Sequence, residues 1–529
     1  MVLNIRKQNQ IRMLIEFTTL SAVLLGIFTP QLSKNAGILY PRLQLSSIMI
    51  TLTTLIVLIF KKYLRFPALK NLVLGAIFPI LLLFLSLFDS SITLSLIGNY
   101  ERNLGAITYL TCFLFFFVGL IMKLNSQIAI IRILVITLVL EIINLFINFF
   151  MNKNSSKDGS FNNSNGESFF FSVMLIFLSI YLVEILRTRI NILIIMLLVT
   201  LFDILILKWI GSLQGIIGFI LTGIFYVIYR VNPTSKRYSN FVAIMLLGYL
   251  MTFLSFVSFK ALPNFALVDR NPFYERLEIY KTSLVGAQQH IFFGLGIDRF
   301  NEVYFRFNLT SNLKLVDNAH SIPLHLLATI GLFGFVAWSV LFIAAVRTPI
   351  ADKTPIEKAL YFAVLTYLFT GMFGIQVPGL EFIVYLMLGG FIARASVDTP
   401  GKLSTAWKNI QVGMLSLNLV FSCNQFSTYL SQVDSLNEIS RSVSDFNKGK
   451  PDFYNKLSGI SDIGILLQAG RLSIFAQDKE LGLRVMERMI NLNSQDQRTI
   501  ALVLELANKW EDSKLLKIGN ELSILAKGY

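Results

Sequence analysis

Apolar and polar positions alternate along this chain in long blocks, not residue by residue. Runs of about 20 apolar residues are what an α-helix needs to cross a hydrocarbon core of roughly 30 Å. Such runs recur from the N-terminus to about residue 422. They predict membrane helices near 13–29, 43–60, 69–88, 104–122, 128–150, 169–186, 190–207, 214–229, 239–259, 321–345, 358–374, 380–395 and 406–422. The last run is the weakest, because Lys408 and Asn409 cut into it. The expected fold is an all-α polytopic membrane protein of about 12–13 transmembrane helices, which excludes a soluble enzyme built around one buried core helix.

The polar blocks set the orientation. One set of loops carries Arg6, Lys7 and Arg12; Lys61, Lys62, Arg65 and Lys70; Lys123 and Arg132; Arg187 and Arg189; Arg230, Lys236 and Arg237; Arg347, Lys353 and Lys358; and Arg394, Lys402 and Lys408. The other short loops carry only Lys34, Arg42, Arg102, Lys153, Lys157 and Lys208. The two sets alternate, so the basic set is expected to face the cytoplasm. Three regions then face outward: the Asn/Ser-rich loop 151–168, a long loop 260–320, and a tail 424–529. A 60-residue loop between membrane helices is unusual unless it is functional. The division expected is a multi-pass membrane domain, 1–423, and an extramembrane helical tail, 424–529.

Composition agrees with this. The chain is 54% hydrophobic and 15% charged, with mean hydropathy +0.65, whereas soluble domains carry about 25% charged residues. A net charge of +15 and a pI of about 9.6 would suggest nucleic acid in a soluble chain. Here the basic residues flank apolar runs, so membrane lipid is the expected partner and nucleic acid is not. Cys112 and Cys423 lie in or beside apolar runs and make no disulfide or zinc framework. The basic start followed by an apolar run, with no small-residue cleavage site, reads as a first membrane helix and not as a cleaved signal.

The tail is different again. It is charged, and its apolar residues recur at helical spacing: Leu472, Phe475, Leu481, Leu483, Val485 and Met486, then Ile500, Leu502, Val503, Leu504, Leu506 and Ala507. The stretch "ELGLRVMERMINLNSQDQRTIALVLELANKW" predicts a helix, a turn and a second helix. It resembles a degenerate tetratricopeptide repeat, and a plain helical hairpin explains it equally well.

The chain has three histidines, His290, His320 and His325, all in or beside the large outward loop. A scarce titratable residue clustered in the longest polar loop points to function. For His290 and His325 a structural role is the expectation. His320 sits in "LVDNAHSIPLHLLATIGLFGFVAW", where the loop meets a membrane helix. A lipid-linked substrate presents its head group at that depth, and a neutral imidazole there can take a proton from a sugar hydroxyl.

Five segments together resemble the O-antigen ligase and polymerase superfamily, over roughly residues 90–395. "GNYERNLGAITYL" is similar to its early outward loop, with Arg102 and Gly105 at the recurring positions. "GSFNNSNGESFFF" resembles its Gly-x-Phe-x-Asn-x-Asn segment, and "GSLQG" lies where members often carry Ser-Arg. "YERLEIYKTSLVGAQQHIFFGLGIDRF" resembles the arginine-bearing helix and Gly-x-Gly turn of the signature loop. "AHSIPLHLLATIGLFG" resembles the His-Asn-x-x-Leu start of the helix that closes it.

The resemblance implies a glycosyltransferase of cell-surface polysaccharide biosynthesis in the bacterial inner membrane. It implies a polyprenyl-diphosphate-linked glycan as donor. The acceptor would be lipid A core for a ligase, as in lipopolysaccharide biosynthesis, or another lipid-linked glycan for a polymerase. His320 would be the base. Arg276, and with it Arg102, would meet the diphosphate, since the planar guanidinium matches phosphate oxygens and stays protonated. No Asp-x-Asp or His/carboxylate cluster has metal spacing, so no metal and no cofactor are expected. Two departures stand out. His320 is followed by Ser321 and not Asn, and the Ser-Arg position reads Ser212-Leu213-Gln214. Lys208 or Arg299 could substitute for that arginine, and Asp298, Asp317 or Glu275 could orient His320.

A small-solute or bicarbonate-like transporter is the reading from another class. It would need ionisable groups at mid-membrane. Glu16, Glu141 and Asp203 are the candidates. A membrane-anchored scaffold acting through the tail leaves the outward loop unexplained.

Overall fold

A computed structural model describes residues 2–28, 42–89, 92–98, 103–151, 160, 164–186, 201, 205–207, 210, 212–231, 272–307, 316–392, 405–444, 457, 460, 463–493 and 496–527. Among the described residues the regular elements are helices, with no strand. The membrane part contains α1 (Val2–Phe28), α2 (Arg42–Ile59), α3 (Leu69–Ser86), the short α4 (Ile92–Ile97), α5 (Ala106–Asn125), α6 (Gln127–Met151), α7 (Ser164–Leu186) and α8 (Leu213–Val231). The large loop forms α9 (Pro272–Gln289) and α10 (Phe300–Phe307). Then come α11 (Ile322–Val346), α12 (Pro355–Gly371), α13 (Pro378–Ile392) and the long α14 (Thr405–Ser444).

Seven of the described helices are long and apolar enough to cross a membrane: Ile5–Phe28, Leu69–Ser86, Ala106–Asn125, Gln127–Ile147, Ser164–Leu186, Leu213–Val231 and Ile322–Val346. Leu43–Ile59 and Pro378–Ile392 are apolar but shorter. The chain is an all-α polytopic membrane protein. Of the expected spans, 239–259 lies outside the described residues, as does most of 190–207.

Helix α5 is apolar all round and buried on every side, as a helix with no polar stripe must be. It packs against α13 through small residues. A Cβ at Gly119 would lie 2.3 Å from the Leu386 carbonyl oxygen, and one at Gly389 would lie 2.1 Å from that of Phe116. Lipid offers no hydrophobic drive for helix association, so such close backbone approach is what holds membrane helices together. Outer helices keep apolar exposed faces, such as Val139, Ile143 and Ile147 on α6.

The expected span 406–422 is the first half of α14, which is not among those seven, and its Asn418 and Ser422 are used. Asn418 donates to Ser47 (2.8 Å) and Thr51 (2.9 Å), and Ser47 also meets Ser422 (2.7 Å) and Thr111 (2.8 Å). Every member of this buried network on α2, α5 and α14 is satisfied by another, which is how polar side chains bind helices in lipid.

The bundle has two unlike ends. The basic loops gather at one: Lys123 pairs with Glu357 (2.8 Å), and Lys358 and Arg230 pair with Glu184 (3.2 and 3.4 Å). At the other, Leu104 before α5 meets Asp298 of the signature loop, and Ser212 and Gln214 at the start of α8 meet Asn165 at the start of α7.

The tail forms α15 (Ile463–Phe475), α16 (Lys479–Asn493), α17 (Gln497–Lys509) and α18 (Ser513–Lys527) around one apolar core that includes Leu466, Leu481, Val485 and Leu506. The predicted helix–turn–helix is α16–α17, with Asp496 capping α17 at the Arg498 amide.

Candidate functional site

The signature loop is anchored by a break in α11. Gly331 has φ +66°, which interrupts the helix and frees backbone groups on both sides. Residues 291–296 take them up. Leu295 and Gly296 donate to the Ala328 and Thr329 carbonyls (3.1 and 2.9 Å), and Leu332 and Phe333 donate to those of Ile291 and Phe292 (2.8 and 3.2 Å). Non-helical backbone is tolerated at a membrane helix only when its polar groups are met in this way. The contact leaves no room for side chains: a Cβ at Gly294 would lie 2.3 Å from the Thr329 carbonyl, and one at Gly331 would lie 2.4 Å from that of Phe292. The Gly-x-Gly turn is therefore a plug in a broken helix.

The plug fixes the segment just beyond it. Arg299, mostly buried, donates to Asp89 (3.0 Å) and through Nε to Glu302 (2.7 Å). Burial opposes its charge, but the Glu302 and Asp89 carboxylates outweigh that and hold its pKa above the usual arginine range. Asp89 also accepts from Ser95 on α4. A cavity of about 520 Å³ opens here, lined by Phe84, Phe88 and Asp89 at the end of α3 and by residues 293–297 and Arg299. Asp298, four per cent exposed, turns the other way and accepts from the Leu104 amide (3.0 Å). It thereby pins the early loop to the signature loop.

His320 sits at the loop's far end, half-buried, in the left-handed region at φ +51°. For a residue with a Cβ this costs roughly 1–3 kcal/mol, and such strain concentrates at functional sites. Its backbone is held on both sides: the His320 amide donates to the Asn318 side chain (2.8 Å), and the Tyr280 hydroxyl donates to the His320 carbonyl (3.1 Å). Ser321 then stands at the N-cap position of α11 in extended backbone, with Pro323 in the first turn. Tyr280 lies on α9, one helical turn after half-buried Arg276, which places both on one face. Burial pushes the Tyr280 hydroxyl up to about 12, and the nearby Arg276 charge opposes the shift. The fold thus brings Tyr280 against His320, with Arg276 one turn away on the face of α9 that Tyr280 shares.

Arg102 lies outside the described residues, as do Lys208 and Asp203. His325 is buried in α11 against Phe300, with ring centroids 5.5 Å apart. His290 is half-buried near Phe307, and burial together with the Arg306 charge lowers its pKa. Of the transporter candidates, Glu141 accepts from Ser160 (2.9 Å to its amide) and Glu16 pairs with Arg132 (3.1 Å). Ser212 and Gln214, which stand where arginine is frequent, turn to Asn165: Ser212 donates to its side chain (2.9 Å) and Gln214 to its carbonyl (2.6 Å). These bonds clasp the start of α8 to the start of α7.

Sequence reasoning missed Tyr280, Asp89 and Glu302. Arg299 and Glu302 stand three apart, the spacing of an intrahelical pair, and that signal was available. Asp89 ends an apolar run and carries no local signal. Among the described residues no three of His, Cys, Asp and Glu come together as metal ligands.

These features define a multi-pass membrane protein whose strained, anchored loop closes one end of a helix bundle. Residues 171–339 match the family model described as O-antigen ligase, a stretch that runs from α7 through the signature loop into α11. The match supports the O-antigen ligase and polymerase superfamily, and with it a membrane glycosyltransferase-like role in polysaccharide biosynthesis. No curated protein matches the chain.

Proposed function

We propose that the chain transfers a glycan from a polyprenyl diphosphate to an acceptor hydroxyl on the outer face of the bacterial inner membrane. The observation that carries this reading is the grouping of Arg276, Tyr280 and His320 within the matched domain. The His320 imidazole takes the proton of the acceptor hydroxyl. The acceptor oxygen bonds to the anomeric carbon as the bond from that carbon to the phosphate oxygen breaks, and the electron pair leaves on the lipid diphosphate. Arg276 meets the charge that builds there, as a preorganised cation does in a water-poor site; Arg102 is its proposed second. Arginines then stand where other transferases use a metal ion, so turnover is proposed to be independent of metal and cofactor.

On this reading the N-terminus and the basic end are cytoplasmic, and the signature loop is periplasmic. The test uses purified full-length protein, lipid-linked glycan and two acceptors in parallel. Transfer to lipid A core defines a ligase, and chain growth on a second lipid-linked glycan defines a polymerase. Absence of product with both, or abolition by EDTA that magnesium restores, contradicts the metal-independent transferase.

A further inference from the structure

The tail reaches back to the candidate site. Phe305 on α10, four per cent exposed, packs against fully buried Ile500 and against Leu504 and Leu522 on α17 and α18. Other residues of the same short helix, Phe300, Val303 and Tyr304, pack into a second cluster with Tyr280, Leu324 and Ala328. Helix α10 is therefore wedged between α11 and the tail. It carries Glu302, which grips Arg299. The start of α17 is close as well: Asp496, one per cent exposed, is ion-paired with Arg498 (2.8 Å). Burial alone would raise the Asp496 carboxyl. Arg498, and after it Arg299 across the interface, hold it below the usual carboxylate range. An eight-residue helix has too few internal bonds to stand alone, so its position depends on both neighbours.

We infer that the α17–α18 hairpin is a positioning element for the signature loop: it presses α10 onto α11 and keeps Glu302 on Arg299. The inference rests on the transferase reading only for its consequence in turnover; the mechanical coupling is independent of it. On this account the tail is a working part of the outer end and not a passenger.

The test is hydrogen exchange on the full-length protein in nanodiscs, comparing wild type with Ile500→Asp and the milder Leu504→Ala. Phe475→Ser, at an exposed tail position, is the control. Amides of 299–305 should exchange about tenfold faster in Ile500→Asp and less so in Leu504→Ala, while those of α5 stay unchanged. In the same preparations kcat/KM for glycan transfer should fall about tenfold in Ile500→Asp and not in Phe475→Ser. Faster exchange within α17 and α18 with unchanged 299–305 amides in both variants overturns the coupling. Accelerated 299–305 exchange in a protein that transfers nothing even as wild type upholds the coupling and removes the transferase reading.

Discussion

At the basic end Glu357 sits between Lys123 (2.8 Å) and Lys353 (3.0 Å) and completes a capping box with Thr354. Glu184 sits between Lys358 and Arg230 and accepts from Tyr226. Each carboxylate there is held by two cations. At the opposite end the stoichiometry inverts, for Arg299 is held by Asp89 and Glu302 and borders a cavity of about 520 Å³. Arg306 also approaches Glu302, at 3.9 Å, but both carboxylates lie within 3.0 Å of Arg299. Arg299 is thus a wall of the site and a poor place for a diphosphate. Among the described residues no carboxylate pairs with Arg276, half-buried on α9. The comparison separates charge that closes a bundle from charge left available to a ligand.

The largest effect is expected from breaking either cage. Removing one partner of a buried ion pair costs about 3–5 kcal/mol, because the other charge stays buried. Glu302→Gln and Glu357→Gln should both lower thermal stability in detergent by amounts of that order. Only Glu302→Gln should also raise KM for the lipid-linked donor. Equal effects on KM would erase the distinction between the ends.

Next come the glycines. Gly331→Ala forces a Cβ into backbone at φ +66° and should cost about 1–3 kcal/mol in thermal unfolding. Gly413→Ala on α14, where a Cβ meets nothing within 4 Å, should be neutral or stabilising by up to about 1 kcal/mol. A silent Gly331→Ala would mean that the break in α11 is not what anchors the loop.

The smallest effect sharpens the His320 end. Tyr280→Phe removes one hydrogen bond and should cost about 0.5–1.5 kcal/mol. The hydroxyl is raised from 10.0 to about 12. A raised folded pKa means its contribution is complete below the unfolded value and is lost as pH climbs through the folded one. The stability gap between wild type and Tyr280→Phe should therefore stay constant up to about pH 10 and narrow between pH 10 and 12. A gap that closes near neutral pH would contradict the buried donor.

Much of this was legible in the sequence. Apolar block length gave the helices, and alternating basic loops pointed to two unlike ends, with Lys123–Glu357 at one and Leu104–Asp298 at the other. The tail hairpin came from helical spacing in 479–509. Other features depend on contacts between distant segments. The glycines in "HIFFGLG" read as a turn and those in "TIGLFG" as part of a helix until their backbones pair across more than 30 residues. Arg299, one of two residues offered in place of a missing phosphate ligand, is held by Asp89, which is 210 positions away. Asp298, named as a candidate to orient His320, instead holds Leu104. Periodicity reads what a segment does for itself; these roles belong to pairs.

The most direct test of the central claim compares two histidines at the start of one helix. His320 is strained, half-buried and beside Tyr280; His325 is buried against Phe300. The measurement is kcat for glycan transfer per folded protein in His320→Ala and His325→Ala. Loss of a general base costs about 10²–10⁴-fold, so His320→Ala should fall by that amount while His325→Ala stays within about tenfold of wild type. Near-normal turnover in His320→Ala, or an equal loss in both variants, would contradict the assignment of this end as the transferase site.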